Sequence, residues 1–359
     1  MIKTIRKGEL QLKQKDKLFR FDLIRGLAML FVIITHFNET LVKLNIYSPC
    51  IHVYMGRGLL YSQIGVVLFI LMSGSLSAMS LERCLPDDCK MEKRSILNYY
   101  KKRILSILPL YYMAYIIAYL IKVVPNGVAV HPAMIWSFLG MDGYLTRFNI
   151  PIVYLVGEWF IGMIIICYLL CPFLYQAIRK YPKITFFILL IYYILIVTYY
   201  PFMRNKETDV LVRIFDFAVG MYFGIYIKRV PRAVVAICLA VSVLFCFVEP
   251  NIDYIYLIII RGVSLYCVLW FLGDYFQTFQ AKIVVKVRNA CSTWAKYSFA
   301  IYMIHKLVID EVLYPFAGGS ADLKKYVRLM TYSGVLMVAL GVILFSAEKY
   351  IMQSLIRKK

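Results

Sequence analysis

Apolar residues run along this chain in stretches of about 20, the length at which a helix crosses the hydrocarbon core of a bilayer. Short connections carrying Lys, Arg, Pro or Gly separate them. Ten such segments stand out, at 19–38, 59–80, 104–123, 152–174, 183–201, 211–227, 233–249, 254–272, 295–313 and 329–350. The stretch HPAMIWSFLG at 131–140 is too short to span and reads as a loop helix that lies at the interface or re-enters. The pattern predicts an all-α polytopic membrane protein with about ten transmembrane helices. An even number of spans puts both termini on one side.

Charge sets the orientation. Lys and Arg in alternate connections divide 28 to 9, counting Arg20 and Lys122 with the flanks, and the richer side includes both termini. The positive-inside bias makes that side, and both termini, cytoplasmic. The organisation expected is a basic cytoplasmic tail at 1–18, a single transmembrane domain at 19–350 and a basic cytoplasmic end at 351–359. Composition agrees, with 62% hydrophobic residues in 359, more than one soluble core can hide. The net charge of +21 is explained by topology, since the basic residues lie between apolar runs and form no solvated face for nucleic acid. The nine cysteines show no CxxC and sit mostly in or beside apolar segments, such as Cys167, Cys171, Cys238, Cys246 and Cys267. Neither a disulfide framework nor a metal site is indicated. The first apolar run follows basic residues as a signal peptide does, yet has no small-residue cleavage site and reads as a retained helix.

Against this background, ionisable residues at membrane depth are the candidates for chemistry, because their cost is usually met by a cavity, a substrate path or a partner charge. Arg25 and His36 lie eleven residues apart in FDLIRGLAMLFVIITHF. Eleven steps of about 100° bring them to nearly one helix face, about 16 Å apart along the axis. Asp22 lies one turn before Arg25. The alternative is that both side chains snorkel, each from its own end of the helix. In GVVLFILMSGS a Ser73-Gly74-Ser75 step offers either close helix packing or a ligand contact. Lys101, Lys102 and Arg103 open a helix that contains Pro109, and suit either lipid headgroups or a phosphorylated cofactor. Glu158-Trp159-Phe160, Arg213, Asp216, Arg261 and His305 scatter further polar groups through the spans and together suggest an enclosed polar cavity. Lys324, Lys325 and Arg328 in the last outer loop either meet an anionic glycan or form solvated surface.

At these residues the chain resembles the acyltransferase-3 family, ten-helix membrane acyltransferases best known for O-acetylating bacterial surface glycans. The first helix matches the family pattern DxxRgxAxxxVxxxH through Asp22, Arg25, Gly26, Ala28, Val32 and His36. Phe69, Ser73 and Gly74 are similar to its Phe-x-x-x-Ser-Gly run, and Trp159, Phe160, Tyr168 and Pro172 to its Trp-Phe helix ending before proline. Ser298, Tyr302 and His305 resemble its Ser-x-x-x-Tyr-x-x-His helix. Arg103 and Pro109 fit its RxxRxxP stretch, but Ser106 stands where the second arginine is expected. Lys101 and Lys102 replace that arginine only in part, as point charges without a bidentate fork.

The resemblance implies transfer of an acyl group, typically acetyl, from cytoplasmic acyl-CoA to a sugar hydroxyl of a surface or exported polysaccharide, in the plasma membrane and specifically a bacterial inner membrane. Acetyl-CoA is then a co-substrate, with no permanently bound cofactor. A glycan or lipid-linked saccharide is the acceptor, and the lipid bilayer is the remaining partner. His36 is expected as general base, with Arg25 in the same catalytic stripe, and Arg103, Lys102 and Arg261 as donor-binding cations. Trp159, Glu158, His305 and Ser73 are expected as oxyanion or second-site residues. A glycan-precursor transporter or flippase is the competing reading of the same polar residues. It is weakened by the lack of an internal repeat.

Overall fold

The computed structural model describes residues 2–51, 60–84, 92–125, 132, 134–141, 156–201, 206–248 and 251–357, the side chains of 2–18, 84, 246 and 355–357 excepted. Eleven α-helices account for nearly all of them: α1 Ile2–Lys43, α2 Tyr61–Cys84, α3 Lys93–Lys122, α4 Met134–Phe138, α5 Glu158–Lys180, α6 Pro182–Tyr199, α7 Val210–Tyr226, α8 Arg232–Phe247, α9 Tyr254–Thr278, α10 Lys282–Leu313 and α11 Leu323–Arg357. The chain is all-α. Each of the ten expected spans falls on one of the long helices, and HPAMIWSFLG gives only the five-residue α4. His131, Ala133, residues 152–155 of the fourth expected span and the side chain of Cys246 lie outside the described residues, as do the side chains of the basic segment 2–18.

Seven segments among the described residues are long and apolar enough to cross a membrane: Phe19–Lys43, Tyr61–Arg83, Lys93–Lys122, Glu158–Lys180, Pro182–Tyr199, Tyr254–Thr278 and Leu323–Ser354. The other three expected spans are helical but differ in kind. The helices α7 and α8 have 17 and 16 residues, about 25 Å at 1.5 Å per residue against a hydrocarbon core of about 30 Å. In α10 the apolar half is preceded by Lys282, Lys286, Arg288 and Lys296 in the same 32-residue helix. Helices outrun the apolar windows because backbone hydrogen bonding continues wherever no residue forbids it. Even Pro109 and Pro172 lie inside continuous helices.

Two compact units are present. The first contains 1–36, 52–72 and 227–299, and the second 37–51, 73–226 and 300–359. In the first, small residues bring backbones close: a Cβ on Gly65 would stand 2.7 Å from the Ala28 carbonyl oxygen, and one on Gly273 2.5 Å from Arg20 Cα. Phe21 and Tyr266 pack on Trp270 at ring distances of 5.5 and 5.7 Å. In the second, α2 meets α7 so closely that a Cβ on Gly74 would overlap the Phe217 carbonyl oxygen. The Ser75 hydroxyl donates to Gly220 O at 2.7 Å. The loop helix α4 is held by the Tyr111 hydroxyl on Ser137 O and by Phe138 stacked 4.4 Å from Tyr112.

Candidate functional site

In the first unit the Arg25 to His36 stripe is carried by an unbroken stretch of α1, so the one-face geometry expected of the sequence holds. Both side chains are half-buried, Ala28, Met29 and Val32 between them on nearly the same face are buried, and so are Ile24 and Ile33 to either side. Neighbouring helices grip the stripe at three levels. Asp22 lies beside the Ser292 hydroxyl of α10 and the Arg25 guanidinium. One turn on, the Trp294 indole N–H donates to Gly26 O at 3.1 Å, and a Cβ on Gly26 would come within 3.0 Å of that indole. Next to His36, the Thr35 hydroxyl donates to Phe31 O at 3.0 Å and accepts the Ser62 N–H of α2 at 2.8 Å. The glycine after Arg25 is thus a packing requirement, and the threonine before His36 fastens its turn to the start of α2. Arg261 is buried in the same unit on α9, its guanidinium 5.8 Å from the Phe245 ring, with Gly262 pressed onto Val67.

Sequence reasoning missed the anchor at the entrance of this helix. Arg20 is buried, pairs with Asp274 at 2.8 Å, and lies 4.4 Å from the Trp270 ring. Nothing in the sequence near residue 20 points to residues 270 and 274, nor to Ser292 and Trp294. The one available signal was an aspartate, Asp274, at the end of an apolar segment.

Two clusters stand in the second unit. In one, the buried Glu158 carboxylate accepts the Val156 N–H at 3.0 Å and the Gly157 N–H at 2.9 Å. It closes the turn that starts α5, where Gly157 has φ +93°, a conformation that favours glycine. The turn orients Trp159 against Phe160, Phe160 lies 5.3 Å from Tyr302, and Tyr302 5.4 Å from His305. Glu158, Trp159 and His305 are therefore brought together through two aromatic rings. His305 Nδ1 stands 2.5 Å from Tyr302 O. A carbonyl only accepts, so Nδ1 carries the proton and, in the neutral ring, Nε2 presents the lone pair.

The other cluster surrounds Arg103. Its guanidinium lies 5.3 Å from the Tyr99 ring and 5.2 Å from the Tyr168 ring, and donates to Leu76 O at 3.0 Å. Arg103 thereby ties α2, α3 and α5. Lys102 is exposed, and Ser106 spends its hydroxyl on Arg103 O at 2.8 Å. Ser73 is half-buried at the head of the small-residue step, whose Gly74 and Ser75 are used in helix packing.

Arg213 and Asp216 do not extend a polar cavity. They form a sealed i,i+3 pair at 2.6 Å, 1% and 0% exposed, with Arg213 Nε donating to Glu207 O at 2.7 Å. Opposite charges one turn apart on one helix neutralise each other locally.

The landmark residues lie on the helices in family order, and a family model described as an acyltransferase domain matches residues 18–348, nearly the whole chain. The chain belongs to the acyltransferase-3 family. No curated protein and no solved structure matches it. The membership makes this a membrane acyltransferase, with an acyl donor and an acceptor as its partners and a lipid bilayer around its apolar helices. In this acyltransferase, six landmarks of the first-helix pattern lie on one continuous helix, and the Trp-Phe and Tyr-x-x-His elements meet in the second unit. Arg103 stands in a cluster of α2, α3 and α5, with Lys102 exposed beside it in the sequence.

Proposed function

We propose that this acyltransferase moves an acetyl group from cytoplasmic acetyl-CoA to a sugar hydroxyl of a surface or exported polysaccharide, through ten membrane-spanning helices with both termini cytoplasmic, in a bacterial inner membrane. The observation that carries the reading is the stripe of Asp22, Arg25 and His36, half-buried on a helix gripped from α2 and α10. Ionisable side chains kept partly accessible at membrane depth are the arrangement a reaction path requires.

A sugar hydroxyl is a poor nucleophile until its proton has a destination. The neutral His36 imidazole takes that proton as the hydroxyl oxygen attacks the thioester carbonyl. The C–O bond forms, the C–S bond breaks, and the CoA thiolate leaves with the proton returned by the imidazolium. In the second unit Trp159 carries an indole N–H, a donor of the type that developing oxyanions need. Arg25, near the start of the span Phe19–Lys43, suits donor phosphates, and Arg261 is a second cation of the same unit; Arg103 and Lys102 are the candidate cations of the second unit. The rings of Tyr99 and Tyr168 support Arg103 in that role by fixing where its charge lies. Glu158 acts by holding the turn that presents Trp159.

The test is release of CoA thiol from acetyl-CoA by purified, detergent-solubilised protein, with and without saccharide acceptors, for wild type and His36→Ala. Acceptor-stimulated release that disappears in the variant is expected. No release by folded wild type with any donor or acceptor overturns the reading in favour of a transporter or flippase.

A further inference from the structure

Five of the nine basic residues that the topology assigns to the outer side, Lys43, Lys122, Lys324, Lys325 and Arg328, gather at one end of the second unit. The positive-inside bias disfavours cations there, so their concentration calls for a cause other than topology. Contacts bind the helix ends that carry them. Asp310 of α10 accepts from Lys122 Nζ of α3 at 2.9 Å and from the Thr40 hydroxyl of α1 at 3.2 Å. Lys306, half-buried, lies within electrostatic reach of Asp310, Glu39, Lys43 and Lys122. From α11, the Tyr326 hydroxyl donates to Asn38 at 3.0 Å and the Tyr326 ring packs on Phe37 at 5.5 Å.

The loops beyond these helix ends are stitched together as well. Tyr47 N donates to Gly319 O at 3.0 Å, Ala321 N to Tyr47 O at 2.8 Å and Gly318 N to Leu44 O at 2.9 Å. Lys325 Nζ donates to Ser320 O at 2.8 Å and lies 4.9 Å from the Phe316 ring. The stitched loops present two aromatic rings outward, Tyr47 at 74% and Tyr314 at 72% exposed. Exposed rings on a braced backbone, bordered by the exposed cations Lys43, Lys324 and Arg328, combine stacking faces for the C–H side of a sugar with charge for an acidic substituent.

We propose that this end of the second unit docks an anionic saccharide, one bearing carboxylate or phosphate groups, as the acceptor strand of the reaction. The inference rests on the acyltransferase reading for the orientation and for the sugar, and adds the charge of the acceptor and the residues that meet it. A lipid headgroup is the rival source of negative charge. The saccharide is favoured because the braced rings stand on loops that lie beyond the ends of α1 and α10, past the segments that bury in lipid.

The experiment measures binding of hexagalacturonate and of maltohexaose, without acyl donor, to the full-length protein in phosphatidylcholine nanodiscs. Its variants are Lys43→Gln/Lys324→Gln/Arg328→Gln and Tyr47→Ala/Tyr314→Ala. The wild type should bind the acidic oligosaccharide at least tenfold more tightly than the neutral one, with a preference that shrinks as salt rises. The cation variant should lose that preference, and the ring variant should weaken both sugars. Equal binding of the two sugars, or an acidic preference unchanged in the cation variant, overturns the proposal. In a parallel set of nanodiscs doped with phosphatidylglycerol, a cation variant that loses only its enrichment of that lipid also overturns it, since the occupant is then lipid. CoA release on the same preparations separates the two levels. Turnover without acidic preference removes the docking site alone, and absent turnover removes the acyltransferase reading.

Discussion

Two charged sites within the helices, the α1 stripe and the α7 pair, spend ionisable residues in opposite ways. Arg213 and Asp216 stand one turn apart, contact each other at 2.6 Å and are sealed from solvent. Arg25 and His36 stand three turns apart on α1 and are half-buried. A pair that neutralises itself in the interior holds structure and has nothing left for a substrate. The charges of the stripe are spaced along the helix and only half-buried, and the backbone beneath them is pinned by Trp294, Thr35 and Ser62. Burial against a closed opposite charge thus marks structure, and partial accessibility marks a candidate for function.

The comparison breaks most sharply at His36. His36→Ala should lower acyl transfer by about 10²–10⁴-fold, the range for loss of a general base, with an unchanged melting temperature in detergent. A variant that loses activity only in proportion to lost folded protein would put His36 among the structural residues. The α7 pair should behave in the converse way. Asp216→Ala leaves a buried guanidinium uncompensated and should cost about 3–5 kcal/mol, whereas Arg213→Met/Asp216→Leu should recover most of that loss. Thermal unfolding of the single and double variants decides it, and equal destabilisation would deny that the pair is self-contained.

Smaller effects sharpen the boundary between packing and chemistry. Gly74→Ala places a methyl against the Phe217 carbonyl, and overpacking of this kind should cost about 1–3 kcal/mol in thermal unfolding. Trp294→Phe keeps one aromatic ring, loses part of the indole's volume and removes one hydrogen bond, the last worth about 0.5–1.5 kcal/mol. Because Gly26 follows Arg25, that variant should also raise KM for the acyl donor more than it lowers kcat. A change in stability alone would make Trp294 a packing residue only.

Much of this was legible in the sequence because lipid imposes a coarse code. About 20 apolar residues make a segment, and each expected segment is a helix. The bounds were not legible where polar residues continue a helix, as in α10, which starts at Lys282 instead of 295. The α1 stripe was legible because its eleven-residue spacing is a property of one helix. Its supports were not, since Arg20 to Asp274 and Gly26 to Trp294 join residues more than 250 positions apart. Arg213 and Asp216 show the opposite error. Their i,i+3 spacing is local and readable, yet counting them with other polar groups suggested a cavity where the structure has a closed pair.

The measurement that tests the account most directly is acetyl transfer per folded molecule, read side by side for wild type, His36→Ala and Arg213→Met/Asp216→Leu with isotope-labelled acetyl-CoA and a saccharide acceptor. The account predicts that the α7 double variant transfers label at close to the wild-type rate and that His36→Ala transfers none above background. Transfer by His36→Ala at the wild-type rate, or selective loss of chemistry in a fully folded α7 variant, would contradict it.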